Sequence, residues 1–350
     1  MKTIQIQASK SYDVIIGSGL LSSIGQRTKE LCNPKKVAIV SDSNVYPFYG
    51  DIVEKSLSDA GIEVINFLFP AGEESKSGEV YLNLVNFLAK NHMTRTDCLI
   101  ALGGGVVGDM TGFAAATFLR GIPYIQLPTT LLAAVDSSVG GKTAIDLPAG
   151  KNLCGAFYQP TLVLCDPDTL NTLPEEIFRD GCAEVIKYGI LYDAELFEQL
   201  ARDGLDFNRE SVIARCVELK RDVVMTDEFD TGERMKLNLG HTVGHGIEAA
   251  SGYTISHGKA VAIGTAIITR AALSQQFCTK DTADRILNIL KRFQLPTTCN
   301  YSPEKLINSV LSDKKRTGGS VNLILPCSIG NCDICPFPVE KILPLIKAGL

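Results

Sequence analysis

The sequence contains no long apolar segment and no cluster of basic residues. No apolar run reaches the roughly 18 residues that a membrane-spanning helix needs. The first residues, "MKTIQIQASKSYDVIIG", alternate like a strand and include no hydrophobic stretch of the signal-peptide type. The net charge is -5, and no run of lysine and arginine is interleaved with aromatic residues. These absences predict a cytoplasmic protein whose partners include neither a membrane nor a nucleic acid.

Cysteine is abundant, but its placement does not suggest a disulfide framework. The eleven cysteines are an odd number, and several lie in apolar segments such as "DCLIAL" and "LVLCDP". This pattern is typical of reduced thiols in a reducing compartment. The segment "CSIGNCDIC" carries Cys327, Cys332 and Cys335, and a C-x-x-C pair can serve redox chemistry or bind zinc. No fourth zinc ligand lies nearby, which favours packing or surface thiols.

The pattern of apolar residues divides the chain into two parts. Before residue 170, five short apolar runs alternate with helical stretches, which indicates an α/β domain. The strand candidates are residues 35–42, 61–70, 97–104, 123–129 and 161–166. Later segments have helical periodicity almost throughout, until "SVNLILP" at 320–326. We therefore predict a Rossmann-like α/β domain over 1–170 and a mainly α-helical domain over 171–350.

Two glycine-rich segments resemble phosphate-binding loops. "GGGVVG" at 103–108 satisfies G-x-G-x-x-G between a predicted strand and a predicted helix, although it does not follow the first strand. Asp42, at the end of an earlier strand, offers a carboxylate to a ribose. "DSSVGGKT" at 136–143 has Asp136 where the P-loop requires glycine, and this argues against a nucleotide triphosphatase. Lys142 nevertheless lies on a glycine hinge and is soon followed by Lys151 and Asn152. These residues form a cationic, polar segment that suits a phosphorylated or carboxylated small molecule.

Three of the four histidines fall within 17 residues, which suggests a metal site. His241 and His245 are four apart on a predicted helix, and His257 follows. Glu184 and Lys187 share one face of another predicted helix among apolar neighbours, where charged groups need partners or a task. Catalytic zinc takes three ligands from histidine and carboxylate. Spacing alone favours Glu184, His241 and His245, with His257 as a fourth; it is also compatible with one ligand and one acid–base histidine.

The ordered motifs of the whole chain resemble those of the 3-dehydroquinate synthases, members of the sugar-phosphate cyclase group. The matching segments are "SDSNV", "PAGEESKS", "GGGVVGDMTGFAAATFLRG", "LPTTLLAAVDSSVGGKTAID", "GKNLCGAFYQP", "TLNTLP", "GCAEVIKYG", "LNLGHTVGHGIE", "HGKAVAIG" and "DKK". The resemblance implies a lyase of the shikimate pathway that leads to chorismate and the aromatic amino acids. Such a lyase converts 3-deoxy-D-arabino-heptulosonate 7-phosphate to 3-dehydroquinate and phosphate. The resemblance also implies NAD+, a divalent metal (zinc, or alternatively cobalt), a homodimer and an active site in the cleft between the two domains.

The resemblance assigns roles residue by residue. The metal ligands would be Glu184, His241 and His257, which leaves His245 to move protons. The substrate and catalytic set would be Arg120, Asp136, Lys142, Asn152, Lys187, Lys220, Arg234, Asn238, His245, and Lys314 or Lys315. The NAD set would be Asp42, Asn44, Glu73, Lys76, Gly104, Gly105, Val106, Asp109, Thr129, Thr130, Asp136, Lys142, Lys151, Thr169 and Thr172. Asp136 and Lys142 belong to both.

The sequence departs from the family pattern at two positions, and two other enzyme classes share its architecture. Gly246 replaces a common alanine, and Lys259 replaces a common acidic residue two positions after His257. Cyclases that act on sedoheptulose 7-phosphate or glucose 6-phosphate share the scaffold but differ at the positions of Lys220, Asn238 and His245. A metal-dependent polyol dehydrogenase of the same architecture would act on a small neutral alcohol, which the many cationic residues do not suit.

Overall fold

The computed structural model describes residues 1–307 and 319–350, and these fall into two compact units. The first unit contains residues 1–174 and 209–229, and the second contains 175–208 and the described residues from 230 onward. The predicted division at 170 treats each part as continuous. In the structure, helix α7 (Arg209–Thr226) groups with the first unit, where it packs on the first two strands.

A seven-stranded sheet forms the centre of the first unit. Its strands are β1 (Lys2–Ile6), β2 (Tyr12–Ile16), β3 (Lys36–Asp42), β4 (Glu63–Phe69), β5 (Cys98–Gly103), β6 (Tyr124–Pro128) and β9 (Leu162–Cys165), in the order β1-β2-β9-β6-β5-β3-β4. β1 and β2 pair antiparallel, and all other neighbours are parallel. The five strands predicted in the first half of the chain are all present.

Both faces of this sheet are buried, as is usual for parallel strands. Successive side chains of a strand point to opposite faces, so Val37 and Ile39 belong to one apolar cluster, whereas Ala38 and Val40 belong to the other. Helices α1 (Ile24–Cys32) and α2 (Tyr46–Asp59) cover the first face. Helices α3 (Gly78–Lys90) and α4 (Gly105–Thr117) cover the second. The connection from β3 runs to one side and the connection from β5 to the other, which places a topological switch point between these strands.

A two-stranded hairpin accompanies the sheet. β7 (Lys142–Leu147) pairs antiparallel with β8 (Gly150–Phe157), beside α4. The predicted glycine hinge is therefore the entry to a hairpin. Gly140 and Gly141 have φ of 94° and 71°, a left-handed conformation that glycine adopts without steric cost. Lys142 is the first residue of β7.

The second unit is mainly helical, as predicted. Its helices are α5 (Glu175–Tyr192), α6 (Ala194–Asp203), α8 (His241–Ala250), α9 (His257–Ser274), α10 (Lys280–Arg292) and α11 (Val339–Gly349). α9 is the most deeply buried of these, and α5, α8, α10 and α11 pack around it. β10 (Ser320–Ser328) was predicted, whereas its partner β11 (Asn331–Pro338) was not. Within the described residues, no helix is long and apolar enough to span a bilayer.

Candidate active site

Three helices of the second unit bring two histidines and a glutamate together. Glu184 lies in the middle of α5, while His241 and His257 are the first residues of α8 and α9. The Oε1 atom of Glu184 lies 3.5 Å from Nε2 of His241 and 3.6 Å from Nε2 of His257. One ligand atom from each residue falls within 4.8 Å of the other two. Two imidazoles and one carboxylate are the donor set of many catalytic zinc sites, so the residues fit the metal that the resemblance implies.

The Nδ1 atom of each imidazole also contacts an oxygen atom. Nδ1 of His241 lies 3.0 Å from the carbonyl oxygen of Leu239. Nδ1 of His257 lies 3.6 Å from Oε2 of Glu248, a buried residue of α8. Metal-binding histidines usually make such an outer contact, because it fixes the ring and leaves the opposite nitrogen to the metal. Both rings are therefore held with Nε2 toward Glu184.

Glycine and a distant aspartate set the positions of the two histidines. Gly240, with φ 76°, precedes His241, and a Cβ atom at Gly240 would lie 2.3 Å from Oγ1 of Thr265 on α9. This close approach of α8 and α9 therefore requires glycine. Asp180 of α5 accepts hydrogen bonds from the backbone N–H of Gly258 (3.1 Å) and of Lys259 (2.8 Å) at the start of α9. The helix that supplies Glu184 thus also caps the helix that begins with His257.

The electrostatics of the cluster differ between the two histidines. Burial, aided by the charge of Lys187, lowers the pKa of His241 to about 3, so this ring is neutral. Burial also disfavours the charged form of His257, but the hydrogen bonds that its ring donates to Glu184 and Glu248 outweigh burial and raise its pKa to about 10. Lys187 contacts Oε2 of Glu184 one turn away on α5, and both side chains are almost fully buried. Two carboxylates and an ammonium group thus surround the imidazoles.

The structure does not bring together the ligand set that spacing alone favours. His245 is not in the group that contains Glu184 and His241, although its ring centroid is 5.6 Å from that of His241. His257 takes the place in the group that spacing gave to His245. The reason is geometric: one helical turn separates His241 from His245, whereas the start of α9 lies directly against Glu184. His245 is exposed at the helix surface.

The other substrate residues predicted in the second unit lie near the start of α8. Arg234 and Asn238 belong to a short 3-10 helix (Glu233–Asn238) that leads into α8. Arg234 is almost fully buried and Asn238 is partly exposed. Lys314 and Lys315 lie outside the described residues.

In the first unit, the predicted NAD residues follow the carboxyl ends of parallel strands. Asp42 and Asn44 follow β3, Gly104 and Gly105 follow β5, and Thr129 follows β6. Four further members occupy the same edge: Val106 and Thr130 after β5 and β6, and Thr169 and Thr172 after β9. In parallel sheets, ligands bind at this edge and at the switch point, which here lies between Asp42 and Gly104. The sheet therefore brings nine of the proposed NAD residues to one edge.

The glycines of this loop allow close packing against the segment that follows β6. Gly104 precedes α4, and a Cβ atom there would lie 3.0 Å from Cγ2 of Thr130. A Cβ atom at Gly105 would lie 3.3 Å from Oγ of Ser137. α4 begins at this point, so its first N–H groups and its dipole favour an anionic group. The loop thus fits a pyrophosphate, as expected of NAD.

A second polar cluster joins predicted NAD residues to a predicted substrate residue. Nζ of Lys76 lies 2.6 Å from Oδ2 of Asp109 and 2.6 Å from Oδ1 of Asn152. Nζ of Lys151 lies 3.1 Å from Oε1 of Glu73. Burial raises the pKa of Asp109, and the charge of Lys76 opposes this. Lys76, Asp109 and Asn152 therefore form one charged network.

Lys220, which is buried, and Asp136, which is partly buried, form a separate ion pair. Nζ of Lys220, on α7, lies 2.9 Å from Oδ1 of Asp136 and donates to its backbone carbonyl at 2.6 Å. Asp136 belongs to a π-helical turn, Ala133–Ser137, and Lys142 follows at the start of β7. Arg120 is exposed after the carboxyl end of α4, so it does not join the glycine loop at the other end of that helix.

The C-x-x-C segment does not form a thiol pair. Cys332 and Cys335 lie on β11 with an odd separation, so their side chains point to opposite faces of the hairpin. Cys332 is buried and contacts the carbonyl of Ile190, whereas Cys327 contacts Asp333. All eleven cysteines are free thiols.

Two contributors were not identified from the sequence. Asp180 caps α9, and Asp146 accepts a hydrogen bond from the backbone N–H of Asn152 at 2.8 Å. Asp180 is 77 residues from His257, and no local pattern links them. Asp146 lies within the segment that resembles the family, and its place between Lys142 and Asn152 was the available signal.

Comparison with known proteins adds to this geometry. Residues 66–180 match the family model described as 3-dehydroquinate synthase N-terminal, and residues 181–316 match the one described as 3-dehydroquinate synthase C-terminal. The 3-dehydroquinate synthase of Enterococcus faecalis is 44% identical over 348 residues, covering 98% of this chain and 97% of the relative.

Two solved structures share the fold over nearly all of both chains. A 2-deoxy-scyllo-inosose synthase complexed with carbaglucose-6-phosphate, NAD+ and Co2+ has a TM-score of 0.90 at 25% identity, with 100% of each chain covered. The 2-epi-5-epi-valiolone synthase from Streptomyces hygroscopicus, with NAD+ and Zn2+ bound, has a TM-score of 0.87 at 26% identity, covering 98% of this chain and 99% of that chain. From the matching family models and the near full-length relative, this chain belongs to the 3-dehydroquinate synthase family.

Proposed function

We propose that this chain is an NAD- and metal-dependent lyase that converts 3-deoxy-D-arabino-heptulosonate 7-phosphate to 3-dehydroquinate and phosphate. The observation that carries the proposal is the Glu184–His241–His257 cluster, in contact with Lys187, within a chain that matches a 3-dehydroquinate synthase over almost its whole length. The carbocycle and the phosphate are the only products, so the nucleotide is regenerated in each cycle.

The cofactors follow from the donor atoms and from the neighbouring structures. Glu184, His241 and His257 would hold zinc or cobalt, and the residues at the carboxyl edge of the sheet would hold NAD+. When bound, NAD+ supplies a reversible hydride acceptor, and the metal ion supplies a Lewis acid for oxygen atoms of the substrate. The two neighbours bind NAD+ together with Co2+ or Zn2+.

The remaining residues bind the anionic substrate and handle protons. Lys187 is held in an apolar helix face beside Glu184, where its ammonium group can stabilise an oxyanion. Lys220 and Arg234 offer cationic groups for a carboxylate or phosphate. His245, exposed and outside the Glu184 group, offers an imidazole that can accept and return a proton. We assign the other substrate contacts to Arg120, Asp136, Lys142, Asn152, Asn238, and Lys314 or Lys315.

The alternatives are less well supported. The 2-deoxy-scyllo-inosose synthase and the 2-epi-5-epi-valiolone synthase are 25% and 26% identical to this chain, whereas the 3-dehydroquinate synthase relative is 44% identical. Lys220, Asn238 and His245 also match the dehydroquinate type. A polyol dehydrogenase would leave the buried cations Lys187, Lys220 and Arg234 without an anionic substrate.

Phosphate release tests the proposal. The purified protein is loaded with zinc and a trace of NAD+ and is incubated with the heptulosonate phosphate. We expect many equivalents of phosphate per NAD+ and no lasting absorbance from NADH. Sedoheptulose 7-phosphate serves as the matched control and should release no phosphate. NADH that accumulates in proportion to product would contradict the proposal.

We also propose a cytoplasmic homodimer that acts on a small phosphorylated sugar acid. The family resemblance supports both the assembly and the location. Light scattering coupled to size-exclusion chromatography should give twice the 37.7 kDa mass of the chain. A mass equal to one chain at micromolar concentration would contradict the dimer.

A further inference from the structure

A second group of metal-type ligands lies next to the first. His245, Glu248 and His257 each place one ligand atom within 4.8 Å of the other two. His257 belongs to both groups, but it faces them with different atoms. Its Nε2 atom lies 3.6 Å from Glu184, and its Nδ1 atom lies 3.6 Å from Glu248.

The second group has the chemistry of a transition-metal site. His245 and Glu248 are three residues apart on α8, so they lie on neighbouring parts of one helical face. Glu248 is only 2% exposed, whereas His245 is exposed, which gives the group a fixed carboxylate and an open side. Imidazole and carboxylate donors suit zinc, cobalt and nickel better than calcium or magnesium, which prefer oxygen ligands.

We infer that His245, Glu248 and Nδ1 of His257 form a second, weaker site for a divalent transition-metal ion. The site is weaker because His257 is shared with the first ion and because exposed His245 must be ordered. A nitrogen that binds a metal carries no proton, so the second ion displaces the Nδ1 proton of His257 into solvent. The site therefore fills only when metal exceeds one equivalent per chain.

Occupation of the second site has a functional consequence, which rests on the function proposed above. An ion on His245 takes the lone pair that this residue needs for proton transfer. Excess zinc or cobalt should therefore inhibit phosphate release, although one equivalent activates it. The binding itself does not depend on that function, so the count of bound ions remains informative even for a protein that releases no phosphate.

Equilibrium dialysis of the metal-free, full-length protein against Co2+ tests the inference. We expect two ions per chain in two affinity classes, with a change in the visible Co2+ spectrum at each step. Glu248→Gln keeps an oxygen that can accept from Nδ1 of His257 but is a poorer ligand, and His245→Asn removes an imidazole. Each variant should retain the first ion and bind the second more than about tenfold more weakly.

The matched control is Glu233→Gln, which removes a surface carboxylate of the same unit that pairs with Lys236. This variant should bind both ions as the unsubstituted protein does. A single ion per chain at millimolar Co2+ would overturn the inference. Two ions with unchanged affinity in both site variants would overturn it as well, as would loss of the first ion in both.

Discussion

The carboxyl edge of the sheet in the first unit and the histidine cluster in the second position their functional groups in different ways. At the sheet edge, each residue follows a strand, and the parallel sheet brings the strand ends together. In the cluster, three residues far apart in sequence meet because α5, α8 and α9 pack tightly at glycines. The residues of the sheet edge can therefore be located from the strand that precedes each of them, whereas those of the cluster can be located only from the packing of the three helices.

This difference explains why backbone groups dominate one region and side chains the other. Gly104 and Gly105 contribute the N–H groups of a helix start, which bind anions whatever the side chain. Glu184, His241 and His257 act only through their terminal atoms, and each needs an outer contact to fix its orientation. We therefore expect substitutions in the cluster to be the more damaging.

The largest effect should come from a metal ligand. His257→Ala removes a donor nitrogen, and metal affinity should fall by more than the roughly 100-fold that loss of an outer contact can cost. His245→Ala is the matched control, because it removes the neighbouring imidazole and should leave the first equivalent of metal bound while turnover falls. Metal content after gel filtration measures both. Equal loss of metal in the two variants would show that the ligand assignment is wrong.

The next effect should come from the buried ion pair near the sheet edge. Lys76→Met removes the buried cation that faces the largely buried Asp109, and removing one partner of such a pair costs about 3 kcal/mol. The free energy of unfolding from urea titration should fall by about that amount, and NAD+ should bind more weakly. The double variant Lys76→Met/Asp109→Leu should recover stability but not NAD+ binding. A stability loss that the second substitution leaves unchanged would argue against the pair.

A smaller effect should follow from loss of the cap that carries His257. Asp180→Ala leaves two N–H groups of α9 without their acceptor, and caps of this kind contribute about 1 kcal/mol. Metal affinity should fall by roughly 10-fold as the start of α9 loosens, within the range for outer partners. Calorimetric zinc titration measures this change. The conservative variant Asp180→Asn should keep most of the affinity, and a loss as large as that of Asp180→Ala would contradict the capping role.

The smallest effect should come from Lys259, the charge that departs from the family pattern. Its ammonium group pairs with Glu176, whose side chain is exposed, and such surface pairs contribute little. Lys259→Gln should change zinc affinity by less than about fivefold. A larger change would mean that this charge acts on the cluster through space. Lys280→Gln, which removes another exposed pair partner, provides the baseline.

The fold was largely predictable from the sequence because its strands are short, buried and separated by helical patterns. Hairpin β7–β8 was missed because "KTAIDL" and "GKNLCGAF" lie among glycines and lysines that first suggest a loop. The place of α7 was also missed. Its periodicity predicts a helix, but only contacts such as that of Lys220 with Asp136 place it with the first unit.

The cluster shows the limit of spacing as a guide. The HxxxH pattern points to α8, which carries His241 of the Glu184 group, yet it does not distinguish His245 from His257, because that choice depends on where α9 begins. The family resemblance predicts His257 as a ligand from the sequence alone. Neither spacing nor resemblance identifies Asp180, since its role is visible only where α5 meets the first turn of α9.

The central claim is that His241 binds the metal and His245, one turn later on α8, does not. An anomalous diffraction map of the protein with one equivalent of zinc per chain tests it most directly. We predict a single peak bonded to Oε1 or Oε2 of Glu184 and to the Nε2 atoms of His241 and His257, at about 2.0–2.2 Å. His245 should lie outside bonding distance. A peak bonded to both His241 and His245 would contradict the account.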